Sequence, residues 1–219
     1  SSKVAEERAR HFETPIDLRT VNKNGQWVEN TEIWHTLQRL GNQLVNIDFY
    51  GGEPFLIKQH EMFLDYLIGH NYSTKIKLHY NSNGSVYPAN LIDKWKQFKH
   101  VNIHFSIDNI GQRFEFERGG CWEDVEANLD RLLETKLPNM SLGIFVTLNV
   151  QNVYYIEQLI DWYETKQFDS FNFSLLEEPS FLSVKAMNQE LVNVIVNRLK
   201  QIPTEKINRY GIESFIQKL

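Results

Sequence analysis

The sequence predicts an α/β protein in which parallel strands alternate with covering helices and form an open barrel. Three observations predict it. Strand-like and helical runs alternate at roughly 25–40-residue spacing, as βα units do. The strands divide into one apolar face and one polar face. The polar and glycine-bearing motifs gather where strands end, which is where parallel α/β folds bind ligands.

Taken in order, the predicted strands are residues 45–50, 75–80, 101–108, 142–148 and 170–176. The helical patterns between and after them are 54–69, 88–98, 122–134, 154–166 and 187–202. Pro54 and Pro88 suit first helical turns, while Pro138 and Pro203 close helices. The last pattern carries apolar residues at Leu191, Val194, Ile195 and Leu199, a helical period.

Reading the strands at period two gives an apolar set: Val45, Ile47, Phe49; Ile76, Leu78, Tyr80; Val101, Ile103, Phe105; Leu142, Ile144, Val146. The opposite set is Asn46, Asp48, Tyr50; Lys77, His79, Asn81; Asn102, His104, Ser106, Asp108; Gly143, Phe145, Thr147, Asn149. A parallel strand buried on both faces would be a near-continuous apolar run. A closed eight-stranded barrel would fill its lumen with branched apolar side chains. Asp48, His79, Asn102 and His104 are neither, so the polar face suits a more open barrel that admits a polar ligand.

The strand ends hold the candidate site. After the first strand, Gly51 and Gly52 permit dihedrals and approaches that a Cβ forbids, and Glu53 can accept from an ammonium group before Pro54 starts a helix. A plain turn with a capping carboxylate reads the same residues more blandly. Asn81, Ser82, Asn83 and Gly84 end the second strand, and alone they also read as an ordinary loop. Ser106 and Asp108 end the third on one face and could hold a diol. Arg118, ten residues on, could clamp a carboxylate or be a solvated charge. The ends near Asn149 and Leu176 are weaker signals.

Composition excludes several classes. A net charge of −5 leaves no basic stripe for nucleic acid, and no apolar run approaches the roughly 20 residues that span a bilayer. The charged N-terminal residues do not read as a signal peptide, so a cytoplasmic protein is expected. One cysteine, Cys121, excludes an internal disulfide framework and reads as structural. The seven histidines show no metal-ligand spacing, and His60, His70 and His100 fall in surface-like stretches. No metal site is expected from the residues present.

The strings "DFYGGEPFL", "NSNG" and "FSIDNIGQRFEFERGGCW" closely resemble successive strand-end segments of radical S-adenosylmethionine (radical SAM) enzymes, nearest to members with a twitch or SPASM domain. The resemblance spans about residues 31 to 183. It implies a partial (β/α)6 TIM-like barrel and two cofactors, S-adenosylmethionine and a [4Fe–4S] cluster. Reductive cleavage of the former would give a 5′-deoxyadenosyl radical that takes a hydrogen atom from substrate. By this likeness Gly51, Gly52, Glu53 and Pro54 receive the methionyl amino group, and Asn81 and Asn83 line the same pocket. Ser106 and Asp108 hold the ribose, Arg118 the methionyl carboxylate, and Asn149 and Leu176 border the adenine. A flavodoxin or ferredoxin as electron donor and a peptide or protein substrate are implied, with no nucleic acid or membrane partner.

One departure is large. The family's CxxxCxxC cluster loop follows the first barrel strand, and neither is found here. The expectation is a fragment that begins just beyond that loop and is inactive by itself. Residues 1–30 would follow the loop, residues 31–186 would form the core, and residues 187–219 would be helices leading toward an accessory domain. A cluster-free protein that binds S-adenosylmethionine without turnover is the alternative.

Overall fold

Side-chain alternation decides which strand face the helices cover, and the computed structural model, which describes residues 31–217, follows that rule closely. The strands are β1 (Asn46–Phe49), β2 (Lys77–Ser82), β3 (His100–Ser106), β4 (Met140–Leu148) and β5 (Ser170–Leu175). They form one sheet in the order β1-β2-β3-β4-β5. β1 pairs with β2, and β4 with β5, in parallel; the registers include Asp48 opposite His79 and Gly143 opposite Ser170. Parallel neighbours need a crossover, and the helices supply it.

The helices are α1 (Thr31–Leu40), α2 (Lys58–Gly69), α3 (Ile92–Trp95), α4 (Gly111–Arg118), α5 (Trp122–Glu134), α6 (Ile156–Glu164), α7 (Gln189–Leu199), α8 (Thr204–Tyr210) and α9 (Ile212–Ile216). Among the described residues no helix is long and apolar enough to cross a membrane. The segment 1–30 lies outside the described residues.

The chain divides into two compact units, the first holding residues 31–82 with Pro88–Asn102 and the second Asn83–Tyr87 with residues 103–217. In the first, α2 buries Phe63, Leu64 and Leu67, Ile76 is buried just before β2, and β2 buries Leu78 and Tyr80 along its covered face. Tyr80 stacks on Phe49 with ring centroids 4.9 Å apart and touches Phe55 and Trp95, so the C-terminal half of β2 is packed among aromatic rings. In the second, Ile103, Phe105, Leu142, Ile144 and Val146 are buried, while Asn102 of the first unit and His104, Phe145 and Thr147 of the second are only half-buried. That is the expected split of apolar and polar faces.

Several boundaries differ from the sequence reading. Val45 precedes β1 and is exposed. The pattern 54–69 contains a 3-10 turn, Pro54–Leu56, before α2, because Glu53 caps that short turn and Ile57 is extended. Only Ile92–Trp95 of the pattern 88–98 is α-helix. α7 buries Val192, Ile195 and Leu199, leaving Leu191 and Val194 exposed, so its covered stripe lies about one residue round from the predicted one. α1 and α4 were not expected. α4 buries only Phe114, too little for a visible period.

Candidate functional site

In the first unit the site is the turn after β1. Gly51 and Gly52 have φ of +85° and +58°, a region that L side chains rarely adopt. No described atom lies within 4 Å of where a Cβ would stand on either glycine. Their freedom therefore serves the backbone path, and it leaves open space beside it. Glu53 is buried and accepts from the Phe55 N–H at 3.3 Å, so it does cap the 3-10 turn that Pro54 begins. It does more than cap: the Ser82 hydroxyl lies 3.1 and 3.0 Å from its two carboxylate oxygens. Ser82 points with Leu78 and Tyr80 to the covered face, where a small polar residue stands out among apolar ones. That was the available signal for it.

Asn81 faces the polar side of β2, and its buried Oδ1 has no hydrogen-bond partner among the described residues. An unpaired buried acceptor is costly and uncommon, so it calls for a donor that the described residues do not supply. His60 is buried, contrary to its surface-like sequence context, and its Nε2 lies 2.9 Å from the Tyr80 hydroxyl. Burial lowers its pKa to about 4; the Pro54 backbone pulls weakly upward, although Nδ1 makes no hydrogen bond of ordinary geometry.

The second unit holds Asn83, Ser106, Asp108, Arg118, Asn149 and Leu176. Asn83 accepts from the Ser85 N–H at 2.8 Å, an Asx-type turn. Ser106 is half-buried at the end of β3. Asp108 is buried, its Oδ1 accepting from the Thr147 N–H at 2.7 Å. Its Oδ2 accepts from Arg118 Nε at 2.8 Å and also from Nη2. Arg118 is therefore not a solvated charge. It ends α4, and it meets the same carboxylate to which the sequence reading gave a different role.

Asn149 is buried, and its polar atoms are engaged inside the chain. Its N–H donates to Asn152 Oδ1 at 3.0 Å, its Oδ1 accepts from the Gln151 N–H at 2.7 Å, and its Nδ2 donates to Glu117 and to the Thr147 carbonyl. What it offers a ligand is a fixed backbone position. Leu176 follows β5, with its N–H bonded to the Leu148 carbonyl at 2.8 Å. Glu117, unnoticed in the sequence, binds Asn109, Asn149 and Asn152 together. Burial is the main cause that raises its pKa.

Cys121 is exposed at the N-cap of α5, not buried as a structural thiol would be. Glu115, Cys121 and Glu123 bring ligand atoms within 4.8 Å of one another. Local contacts account for them: Glu115 accepts from the Trp122 N–H at 3.0 Å, and Cys121 donates to Glu123 at 3.1 Å.

The model of the radical SAM superfamily matches residues 10–163, more than half of the chain. The chain belongs to the radical SAM superfamily. Members are enzymes that use S-adenosylmethionine and a [4Fe–4S] cluster. No curated protein matches the sequence. Among solved structures it is similar to Streptococcus suis SuiB bound to the precursor peptide SuiA, at 17% identity and a TM-score of 0.54, covering 82% of this chain and 39% of that one. It is equally similar to SuiB bound to S-adenosylmethionine, at 16% identity and a TM-score of 0.54, covering 80% and 39%. The chain thus spans about two fifths of SuiB. At such identities the likeness carries the fold, which is the partial TIM-like radical SAM fold.

The two cofactors fit this chain differently. Among the described residues, the space beside Gly51 and Gly52, which a Cβ would fill, and the unpaired Asn81 Oδ1 fit a hydrogen-bond donor such as an ammonium-bearing ligand at the turn after β1. A cluster held by three thiolates does not fit, because the chain has one cysteine.

Proposed function

We propose that this radical SAM chain binds S-adenosylmethionine through its strand-end residues. The observation that carries the reading is the buried Glu53 carboxylate, fixed by Ser82 beside two glycines of positive φ. Glu53 accepts from the methionyl amino group, and the turn Gly51–Pro54 admits it closely. Asn81 Oδ1 accepts a further donor, and Asn83 shapes the adjoining loop. Ser106 and the remaining lone pair of Asp108 Oδ1 receive the ribose hydroxyls, and the guanidinium N–H groups that Asp108 does not use receive the methionyl carboxylate. Asn149 and Leu176 border the adenine as backbone positions. When bound, S-adenosylmethionine supplies the superfamily's radical chemistry, while these residues orient it and exclude water.

The same reading has a peptide or protein substrate, supported by the fold likeness to a peptide-bound enzyme, and a flavodoxin- or ferredoxin-type electron donor. It takes residues 31–186 as the core and residues from 187 on as a helical extension. It places the protein in the cytoplasm without nucleic-acid or membrane partners. Because one thiol cannot hold the cluster, the chain by itself does not cleave S-adenosylmethionine reductively. Calorimetric titration of the chain with S-adenosylmethionine tests the binding. Saturable binding that weakens about tenfold or more in Glu53→Gln is expected, and the absence of saturable binding by the unaltered chain sinks the proposal.

The single cysteine also favours a second reading, a protein that binds S-adenosylmethionine without turnover. Three cysteines at the family spacing encoded shortly upstream of Ser1 favour the enzyme, and a start codon there favours the binding protein. Formation of 5′-deoxyadenosine by this chain, after anaerobic treatment with iron, sulfide and reductant, would overturn its inactivity.

A further inference from the structure

Near the end of α4, one carboxylate gathers three amides. Glu117 Oε2 accepts from Asn109 Nδ2 at 3.1 Å, while Oε1 accepts from Asn149 Nδ2 at 3.3 Å and Asn152 Nδ2 at 3.1 Å. Each asparagine is aimed by its other end. Asn109 Oδ1 accepts from the Ile110 N–H at 3.3 Å and from Arg113 Nε at 3.0 Å. Asn149 Oδ1 accepts from the Gln151 N–H at 2.7 Å, and Asn152 Oδ1 from the Asn149 N–H at 3.0 Å. The oxygens thus shape the local chain and turn all three nitrogens to Glu117, those of Asn149 and Asn152 also donating to the Thr147 carbonyl at 3.3 and 3.0 Å.

The chemistry of that acceptor is specific. An ionised carboxylate only accepts and offers about four lone-pair sites, so it can take three N–H donors at once. A glutamine of the same shape presents an NH2 group to one side, where it meets Asn109 or the Asn149–Asn152 pair donor to donor. Asn109 cannot turn over to relieve this without giving up Ile110 and Arg113.

We infer that Glu117 is a positioning residue for S-adenosylmethionine: it ties the turn after β4 to the turn after β3 and so fixes the backbone of Asn149 and the carboxylate of Asp108. The inference rests on the assignment of Asp108 and Asn149 to that ligand above. Asp108 is the residue just before Asn109, and its Oδ1 also holds the Thr147 N–H at the end of β4, so the two acids brace the same pair of strand ends. Among the described residues the charge that acts on Glu117 is that of Asp108, which follows β3, while Arg113 and Arg118 of the same helix bond Asn109 and Asp108. From the turn after β4 it receives the amides of Asn149 and Asn152.

The test combines calorimetric titration of the chain with S-adenosylmethionine and NMR of the asparagine side-chain amides. In the unaltered chain the amide pairs of Asn109, Asn149 and Asn152 should shift together over one pH transition, as reporters of one carboxylate. Glu117→Gln should remove that common transition and raise the Kd about tenfold while the circular dichroism spectrum stays unchanged. Three unrelated transitions in the unaltered chain overturn the inference without any variant, which covers the case in which Glu117→Gln does not fold. A folded Glu117→Gln protein with a Kd within about twofold of the unaltered chain overturns it while leaving the ligand assignment intact. Absence of saturable binding by the unaltered chain instead overturns the ligand assignment, and this inference with it.

Discussion

The Ser82 hydroxyl of β2 lies 3.0 and 3.1 Å from the two oxygens of Glu53, so a residue on the sheet's covered face holds the acid of the Gly-Gly-Glu-Pro turn. A hydroxyl has one proton and can serve either oxygen in turn. Ser82→Ala should therefore cost about 1.5–3 kcal/mol of stability, the range for a hydrogen bond to a charged group. Urea unfolding measures it. Glu53→Gln, by contrast, should move S-adenosylmethionine affinity more than stability, because the amide still accepts from Ser82 and Phe55 but carries no charge. Equal losses of affinity in the two variants would contradict this division of labour.

The Asp108–Arg118 pair joins the segment after β3 to the end of α4, with two N–H groups of the guanidinium on one carboxylate oxygen. Asp108 is buried and Arg118 partly so, which makes the loss of the arginine more damaging than the loss of a surface ion pair. Arg118→Ala should lower stability by about 2–4 kcal/mol. Asp108→Asn combined with Arg118→Ala should cost less than the sum of the single changes. A double-mutant cycle in urea that returns strictly additive effects would show that the pair is not coupled.

Two glycines make opposite use of the same conformation. Gly52 has φ of +58° and open space where a methyl group would stand, whereas Gly84 has φ of +74° and would place a Cβ 3.1 Å from Val125 Cγ1 on α5. Gly52→Ala should cost about 1–2 kcal/mol from backbone strain alone. Gly84→Ala adds crowding against α5, for a total of about 2–4 kcal/mol. Ligand affinity should rank them the other way, since only the methyl group at position 52 enters the space assigned to the methionyl group. Thermal melts with and without S-adenosylmethionine compare the two.

How much of this was legible in the sequence depended on how local the signal was. The covered and polar faces of β2, β3 and β4 followed from period two, because burial on one side leaves a pattern within a few residues. The glycines after β1 were legible because their conformation is set by their own backbone. Asp108 and Arg118 were both singled out, but their mutual bond was not, since it requires α4 to bring them together across ten residues. Glu117 was hidden for the same reason: its three partners come from two separate strand ends. His60 was hidden because a histidine among charged neighbours looks exposed until α2 turns it inward.

That inward turn has a pH consequence with a definite sign. Tyr80 receives the Trp95 indole N–H at 3.2 Å and faces His60 Nε2 at 2.9 Å, so the phenol can give its proton to a neutral imidazole. Burial, the dominant cause, holds His60 near a pKa of about 4 against 6.5 for a free histidine. The folded state then refuses a proton that the unfolded chain accepts. Stability from this group is fully present above pH 6.5 and is lost as pH falls toward 4, amounting to about 3 kcal/mol over that window. Glu117 works in the other sense, because a raised carboxylate pKa adds stability at low pH and loses it as pH rises. The difference between the unaltered chain and His60→Gln isolates the histidine. Unfolding free energies from urea titrations at pH 7 and pH 4.5 should fall less in His60→Gln than in the unaltered chain, by about 2–3 kcal/mol. Parallel losses in the two proteins would mean that His60 takes up its proton in the folded state as readily as in the unfolded one.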